Sequence, residues 1–189
     1  MLDFDIEADD LERLADELGA MPREVRASYN RALTRTAATL RKLSSKGLQS
    51  HLGLARAAAV RRRLKTLRIK RQGGMNEVRL WYGLNDLPVS EFKGRIVDDG
   101  SRGAAHLGGL GRSSFPQGFT AKSRFSRRRT ILERVRASRL PVREAQLPIK
   151  ERADVFVEDE IFWKLNDIFW RHFRTDLERR VNYLRAAGK

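Results

Sequence analysis

No cysteine occurs in the 189 residues, so the chain has no disulfide frame, no thiol nucleophile and no thiolate metal site. Histidine is nearly as scarce: His51, His106 and His172 are scattered and show no ligand spacing. These shortages argue against metal and redox chemistry, and no cofactor is expected. Long apolar runs are missing too. None approaches the roughly 20 residues of a membrane-spanning helix, and the opening stretch MLDFDIEADD is acidic where a secretory signal would be basic and then apolar. The expectation is a soluble chain, not secreted, with no membrane partner. Its length suits a single domain spanning 1–189, burying roughly 70% of its unfolded surface.

Acid is also absent from long parts of the chain, and this shortage carries the most information. Residues 25–76 hold fourteen Lys or Arg and no Asp or Glu, and residues 100–132 hold seven more bases and again no acid. Residues 1–24 form an acidic N-terminal segment with nine acids against two arginines, while residues 151–189 balance eight against eight. Within a net charge of +15 the layout is therefore directional, and a basic surface this concentrated favours polyanions such as nucleic acid.

What is present reads as mixed helix and strand. ADDLERLADELG, residues 8–19, places Leu11, Leu14, Ala15 and Leu18 on one side and ends on glycine, the pattern of a short capped helix. Pro22 then occupies a first helical position, and Val25, Tyr29, Ala32, Thr36, Leu40 and Leu43 follow at spacings of three or four, with Gly47 as a candidate break. After the helical stretch ARAAAVRRRLK the period changes to two. TLRIKRQ alternates Leu67 and Ile69 against Arg68 and Lys70, QGGMN supplies a turn, and VRLWYGL alternates Val78, Leu80, Tyr82 and Leu84 against Arg79 and Trp81. Further strands are expected at EFKGRIV, RTILERV and RLPVREAQLPI. The six-glycine stretch 98–129 shows no strong periodicity and is expected to be a flexible basic loop.

Residues 151–187 read as one long helix. Its apolar triplet Ile161-Phe162-Trp163 recurs as Ile168-Phe169-Trp170, and Phe156, Trp163, Trp170, Leu177 and Leu184 repeat every seven residues. Three consecutive helical positions sweep roughly 200°, about twice the stripe that a surface helix needs. One row can cover a sheet; the heptad row either lies in the core under a larger insertion or meets another subunit, and the second is favoured because aromatic side chains concentrate at interface cores and the rest of the chain offers few apolar elements to cover a second face. The fold class is α+β, with a long N-terminal and a long C-terminal helix packed on a small antiparallel sheet.

Catalytic patterns are not found. Asp98-Asp99 and Asp9-Asp10 are adjacent pairs, which strand geometry points apart. The glycines at 108, 109 and 111 match neither phosphate-loop pattern, Ser113 and Ser114 lack a nucleophile elbow, and His106 is expected to be a loop residue. No enzyme is expected. Arg61, Arg62, Arg63, Lys65, Arg68, Lys70 and Arg71, with Arg127, Arg128 and Arg129, stand out as contacts for DNA or an acidic neighbour, because guanidinium groups bind phosphate without reading bases.

The order of RAAAVRRRLKTLRIKR, YGLNDLPVSEFKGR, FPQGFTAKS and RLPVREAQLPI ahead of the C-terminal helix resembles the minor tail protein Z family of tailed phages and prophages. The resemblance spans most of the chain from about residue 26. It implies a tail completion subunit in the virion neck, present in the host cytoplasm during assembly and needed for head–tail joining. The implied partners are copies of itself in a ring, commonly of six, the tail terminator and neck or connector proteins, and genomic DNA in the lumen without sequence specificity. The competing reading, from charge alone, is a sequence-nonspecific nucleic-acid-binding protein.

Overall fold

The computed structural model describes residues 8–69, 76–100, 103–123 and 128–188. The fold is α+β, as the sequence predicts, with long helices near both ends and small antiparallel sheets. In place of one domain the chain forms two compact units. One takes in Met1–Arg41, Thr66–Leu80 and Trp163–Lys189; the other takes in Lys42–Lys65 and Trp81–Phe162.

In the first unit, α1 (Ala8–Leu18) buries Leu11 and Ala15 and stops where expected. Gly19 takes φ +63°, and the N–H groups of Gly19 and Ala20 donate to the Asp16 and Ala15 carbonyls in a Schellman cap. The Arg185 guanidinium adds a 3.0 Å bond to the Leu18 carbonyl. Next comes α2 (Pro22–His51), which is unbroken at Gly47 and passes from the first unit into the second. Its buried positions include Ser28, Ala32, Thr36, Leu40, Ser44 and Leu48, one every four residues. Each such step overshoots a full turn by about 40°, so different faces are buried in its first and last parts. Small residues on this stripe let large ones approach. Ala32 lies in the first unit's core with Leu11 and with Phe169, Phe173 and Leu177 of α5 (Leu165–Ala186), all three fully buried. Burial of each of those three side chains contributes about 1.5–3 kcal/mol.

The second unit carries most of the strands. Its short helix α3 (Ala58–Arg61) leads into β1 (Leu64–Ile69), which pairs with β2 (Glu77–Tyr82) in a hairpin whose Thr66–Leu80 stretch belongs to the first unit; the predicted turn QGGMN lies largely outside the described residues. Val78, Leu80 and Tyr82 are the more buried face of β2, as their alternation predicts, whereas Leu67 is 53% exposed and the expectation that it faces inward fails. Leu64 takes the inward position instead. Strand β3 (Leu87–Pro88) pairs with β10 (Gln146–Leu147), and two three-stranded antiparallel sheets follow. One joins β4 (Gly94–Asp98), β5 (Ala104–Gly108) and β6 (Gly111–Phe115); the other joins β7 (Gly118–Lys122), β8 (Arg129–Arg134) and β9 (Val142–Glu144).

The described part of 98–129 is therefore not a loop. It supplies β5, β6 and β7, with a two-residue turn between paired Gly108 and Gly111, where Gly111 takes φ +89°. Its buried positions are Ala104, Ala105, His106, Gly118 and Ser123, too small or too polar to show an apolar alternation.

The C-terminal segment also departs from expectation. Instead of one helix it forms α4 (Lys150–Glu160), a 3₁₀ turn over Phe162–Lys164, and α5. This break divides the two copies of the apolar triplet between two cores. Phe162 packs on the second unit's core, while Ile168 and Phe169 are buried in α5, Phe169 in the first unit's core. A straight helix would hold Phe162 and Phe169 only about 20° apart on one face.

Phe156 of α4 shows how closely the second unit is packed. Its ring lies 4.9 Å from the His51 ring and fits over Gly47, where an added Cβ would sit 2.4 Å from Cζ. Gly47→Ala therefore gains helix propensity but displaces the ring. The expected net effect is a loss of about 1 kcal/mol in urea denaturation, recovered when Phe156→Leu is added. A stabilised Gly47→Ala single variant would contradict this contact.

Candidate nucleic-acid and subunit interface

The ten predicted basic contacts do not form one uniform patch. Arg61 and Arg62 are exposed at the end of α3 and the turn after it. Arg63 is a structural clamp: Nη1 donates to the Asn85 carbonyl at 2.6 Å, both terminal nitrogens reach the Asp86 carbonyl at 3.3 Å, and its own carbonyl accepts the Gly83 N–H. This corrects its assignment as a phosphate contact, because both terminal nitrogens of the guanidinium already bind the chain that follows β2. Lys65 is exposed with Nζ 5.6 Å from the Trp81 ring, a cation–π contact that still leaves the ammonium in water. The Arg68 side chain and Lys70, Arg71 and Arg127 lie outside the described residues.

Arg128 donates to the Ser90 carbonyl at 3.3 Å, and Arg129 opens β8 in register with Lys122. Like charges directly opposite on paired strands repel. Both side chains are exposed, so this end of the sheet is a concentrated positive point.

The heptad row fares unevenly. Leu177 is fully buried in its own unit, a correction to its assignment as an interface residue. Phe156 packs on the second unit's core, which removes it as well. Trp170 is half-buried, with its indole edge-on to Phe169 at 5.5 Å and to Phe173 at 5.7 Å. Leu184 is half-buried near the end of α5. Trp163, on the 3₁₀ turn, is 61% exposed with the Lys164 ammonium 5.0 Å from its ring.

Two carboxylates are tied down. Asp99, from the pair rejected as a dyad, accepts hydrogen bonds from Ser114 and Arg112, and these hold it below the usual carboxylate range. Asp176, which the sequence did not single out, is buried among cations: Arg180 Nε at 2.8 Å, Arg31 Nη1 at 3.3 Å and Arg35 Nη1 at 3.6 Å. Burial pushes its pKa up, but the Arg180 hydrogen bond and the charges of Arg180 and Arg31 outweigh that and leave it lowered.

His106 is the other residue that the sequence misplaced. It lies in the middle of β5, 2% exposed, with neither ring nitrogen hydrogen-bonded. The imidazole occupies space left by the cross-strand pair Gly94 and Gly108: an added Cβ would meet the ring at 2.7 Å from Gly94 and 2.4 Å from Gly108. Desolvation lowers its pKa. The nearby Lys93 backbone favours the charged form but lacks hydrogen-bond geometry with either nitrogen, and burial outweighs it. His172 is likewise lowered, by burial and then by the charges of Arg171 and Arg35, and its Nε2 lies 3.3 Å from the Thr39 hydroxyl.

Among the described residues no helix is long and apolar enough to cross a membrane, and no group of three or more His, Asp or Glu is placed to hold a metal ion. In comparisons with known proteins the chain matches no family model, no curated protein and no solved structure.

Proposed function

We propose that the chain is a non-catalytic virion subunit of the minor tail protein Z kind, which completes the head-proximal end of a phage tail as a ring around the DNA conduit. The observation that carries the reading is Trp163. A tryptophan 61% exposed on a turn, beside a repeat mate that is packed against two phenylalanines, is a side chain suited to a neighbour's pocket. In a closed ring each subunit offers two different contact surfaces, so one exposed anchor per chain is enough. The strongly positive sequence suits a place beside DNA or an acidic neighbour. Sedimentation velocity on the protein alone and on material recovered from particles tests the assembly. A closed oligomer is expected in at least the second; a strict monomer in both overturns the ring.

A second reading, a freestanding binder of nucleic acid without sequence preference, rests on the exposed Arg61 and Arg62. It predicts log affinity for duplex DNA falling linearly with log salt, by about 0.9 for each phosphate neutralised. Arg61→Ala with Arg62→Ala should flatten that slope by up to about two units. Arg63→Ala should instead lower stability, because its donors serve Asn85 and Asp86. A negligible salt response removes this reading.

A further inference from the structure

The hairpin of β8 and β9 ends in a tip that the second unit leaves uncovered: every residue from Arg134 to Pro141 is exposed. This stretch carries Arg134, Arg136 and Arg139, Arg143 follows on β9, and no acid occurs from 134 to 143. We propose that the tip is a contact for duplex DNA, in which Arg136 and Arg139 bind backbone phosphates and Leu140 packs into the minor groove.

The four arginines are not equivalent. Arg134 lies with its guanidinium carbon 5.6 Å from the Phe119 ring, and Arg143 pairs with Glu133 at 3.8 Å, so these two serve the stem of the hairpin. Arg136 and Arg139 have no hydrogen bond, ion pair or ring contact among the described residues. Single solvated arginines are ordinary on a surface, and Leu140 is what makes this tip unusual. It is 68% exposed, the most exposed large aliphatic side chain among the described residues, and Val135 beside it in the loop is exposed as well. A partner that covers this tip must therefore offer anionic and apolar surface together.

Duplex DNA does so. Guanidinium groups take its phosphates in paired N–H bonds, and leucine is among the apolar side chains that enter the minor groove beside arginine. The tip is also held in one shape before it meets a partner. The Val135 N–H donates to the Pro141 carbonyl at 3.0 Å, the Ser138 hydroxyl donates to the Leu140 carbonyl at 2.6 Å, and Arg134 pairs with Val142 where the strands meet. A loop already closed in this way loses little conformational freedom on binding. The proposal rests on the closeness to DNA that both functional readings share, but it assigns the contact to a surface that neither uses, and it needs no ring.

The test is fluorescence anisotropy of a short labelled duplex titrated with the full-length protein over a salt series. Log affinity is expected to fall linearly with log salt, and Arg136→Gln with Arg139→Gln should flatten the slope by about 0.9 for each arginine. Leu140→Ser should instead weaken binding about tenfold at every salt concentration and leave the slope unchanged, because an apolar contact releases no counterions. Netropsin, which occupies the minor groove, should abolish the difference between Leu140→Ser and the wild type. All three positions are exposed, so circular dichroism and urea midpoints should not move. An unaffected Leu140→Ser overturns the proposal, as does polyglutamate competing as well as DNA at equal charge, which would assign the tip to acidic chains in general. If the hairpin variants bind like the wild type while Arg61→Ala with Arg62→Ala flattens the slope, this contact is overturned and the nonspecific-binding reading stands. Absence of any salt-dependent binding removes both, and ring assembly is read separately by sedimentation.

Discussion

Asp176→Asn is expected to lower folding stability by about 3 kcal/mol at neutral pH, the low end of what removing one partner of a buried ion pair costs. The low end applies because the cations around it, Arg31, Arg35 and Arg180, are 54%, 42% and 28% exposed and remain partly hydrated when the charge goes, whereas the carboxylate is only 5% exposed. The same substitution changes the response to acid. Because the folded pKa is held below its unfolded value, the stabilising contribution is complete above the unfolded carboxylate pKa of about 3.9. It is lost as pH falls from there through the folded value. Urea midpoints measured down a pH series should therefore fall less steeply below about pH 4 in Asp176→Asn than in the wild type. Parallel acid limbs would mean that the arginine cluster contributes nothing specific.

The second large effect separates the two repeated tryptophans. Trp170→Ala removes an indole stacked edge-on against Phe169 and Phe173, and a loss of about 2–3 kcal/mol in stability is expected. Trp163→Ala removes a ring whose described ring contact is with the Lys164 ammonium, so its cost to the fold should stay below about 1 kcal/mol. Its cost to assembly should be the larger one. An aromatic anchor at the centre of a subunit contact is worth about 2 kcal/mol or more, roughly thirtyfold in the association constant. Urea denaturation and concentration-dependent sedimentation of both variants check the split. Equal losses of stability for both would place Trp163 in a core.

Local chemistry made much of the fold legible. The glycine stop at Gly19, Pro22 at the head of α2 and the alternation of Val78, Leu80 and Tyr82 each announce their element, and each forms as expected. The C-terminal break was hidden because nothing in Ile161-Phe162-Trp163-Lys164 interrupts a helix. It arises from tertiary demand, as Phe162 and Phe169 are claimed by different cores. Strands β5 and β6 were hidden because alanine, glycine and serine carry almost no hydrophobic signal even where they are buried. The basic contacts were legible as a composition but not as roles. No spacing rule reveals that Arg63 donates to Asn85 and Asp86, or that His106 shares a cavity wall with Arg95 and Arg129, residues distant in the chain.

Hydroxyl-radical footprinting of Trp163, in the free chain and in particles that contain it, tests the assembly account most directly. Oxidation of Trp163 should be fast in the free chain and fall about tenfold or more in the particle, as expected for an anchor desolvated at a contact. An oxidation rate unchanged by assembly would contradict the account.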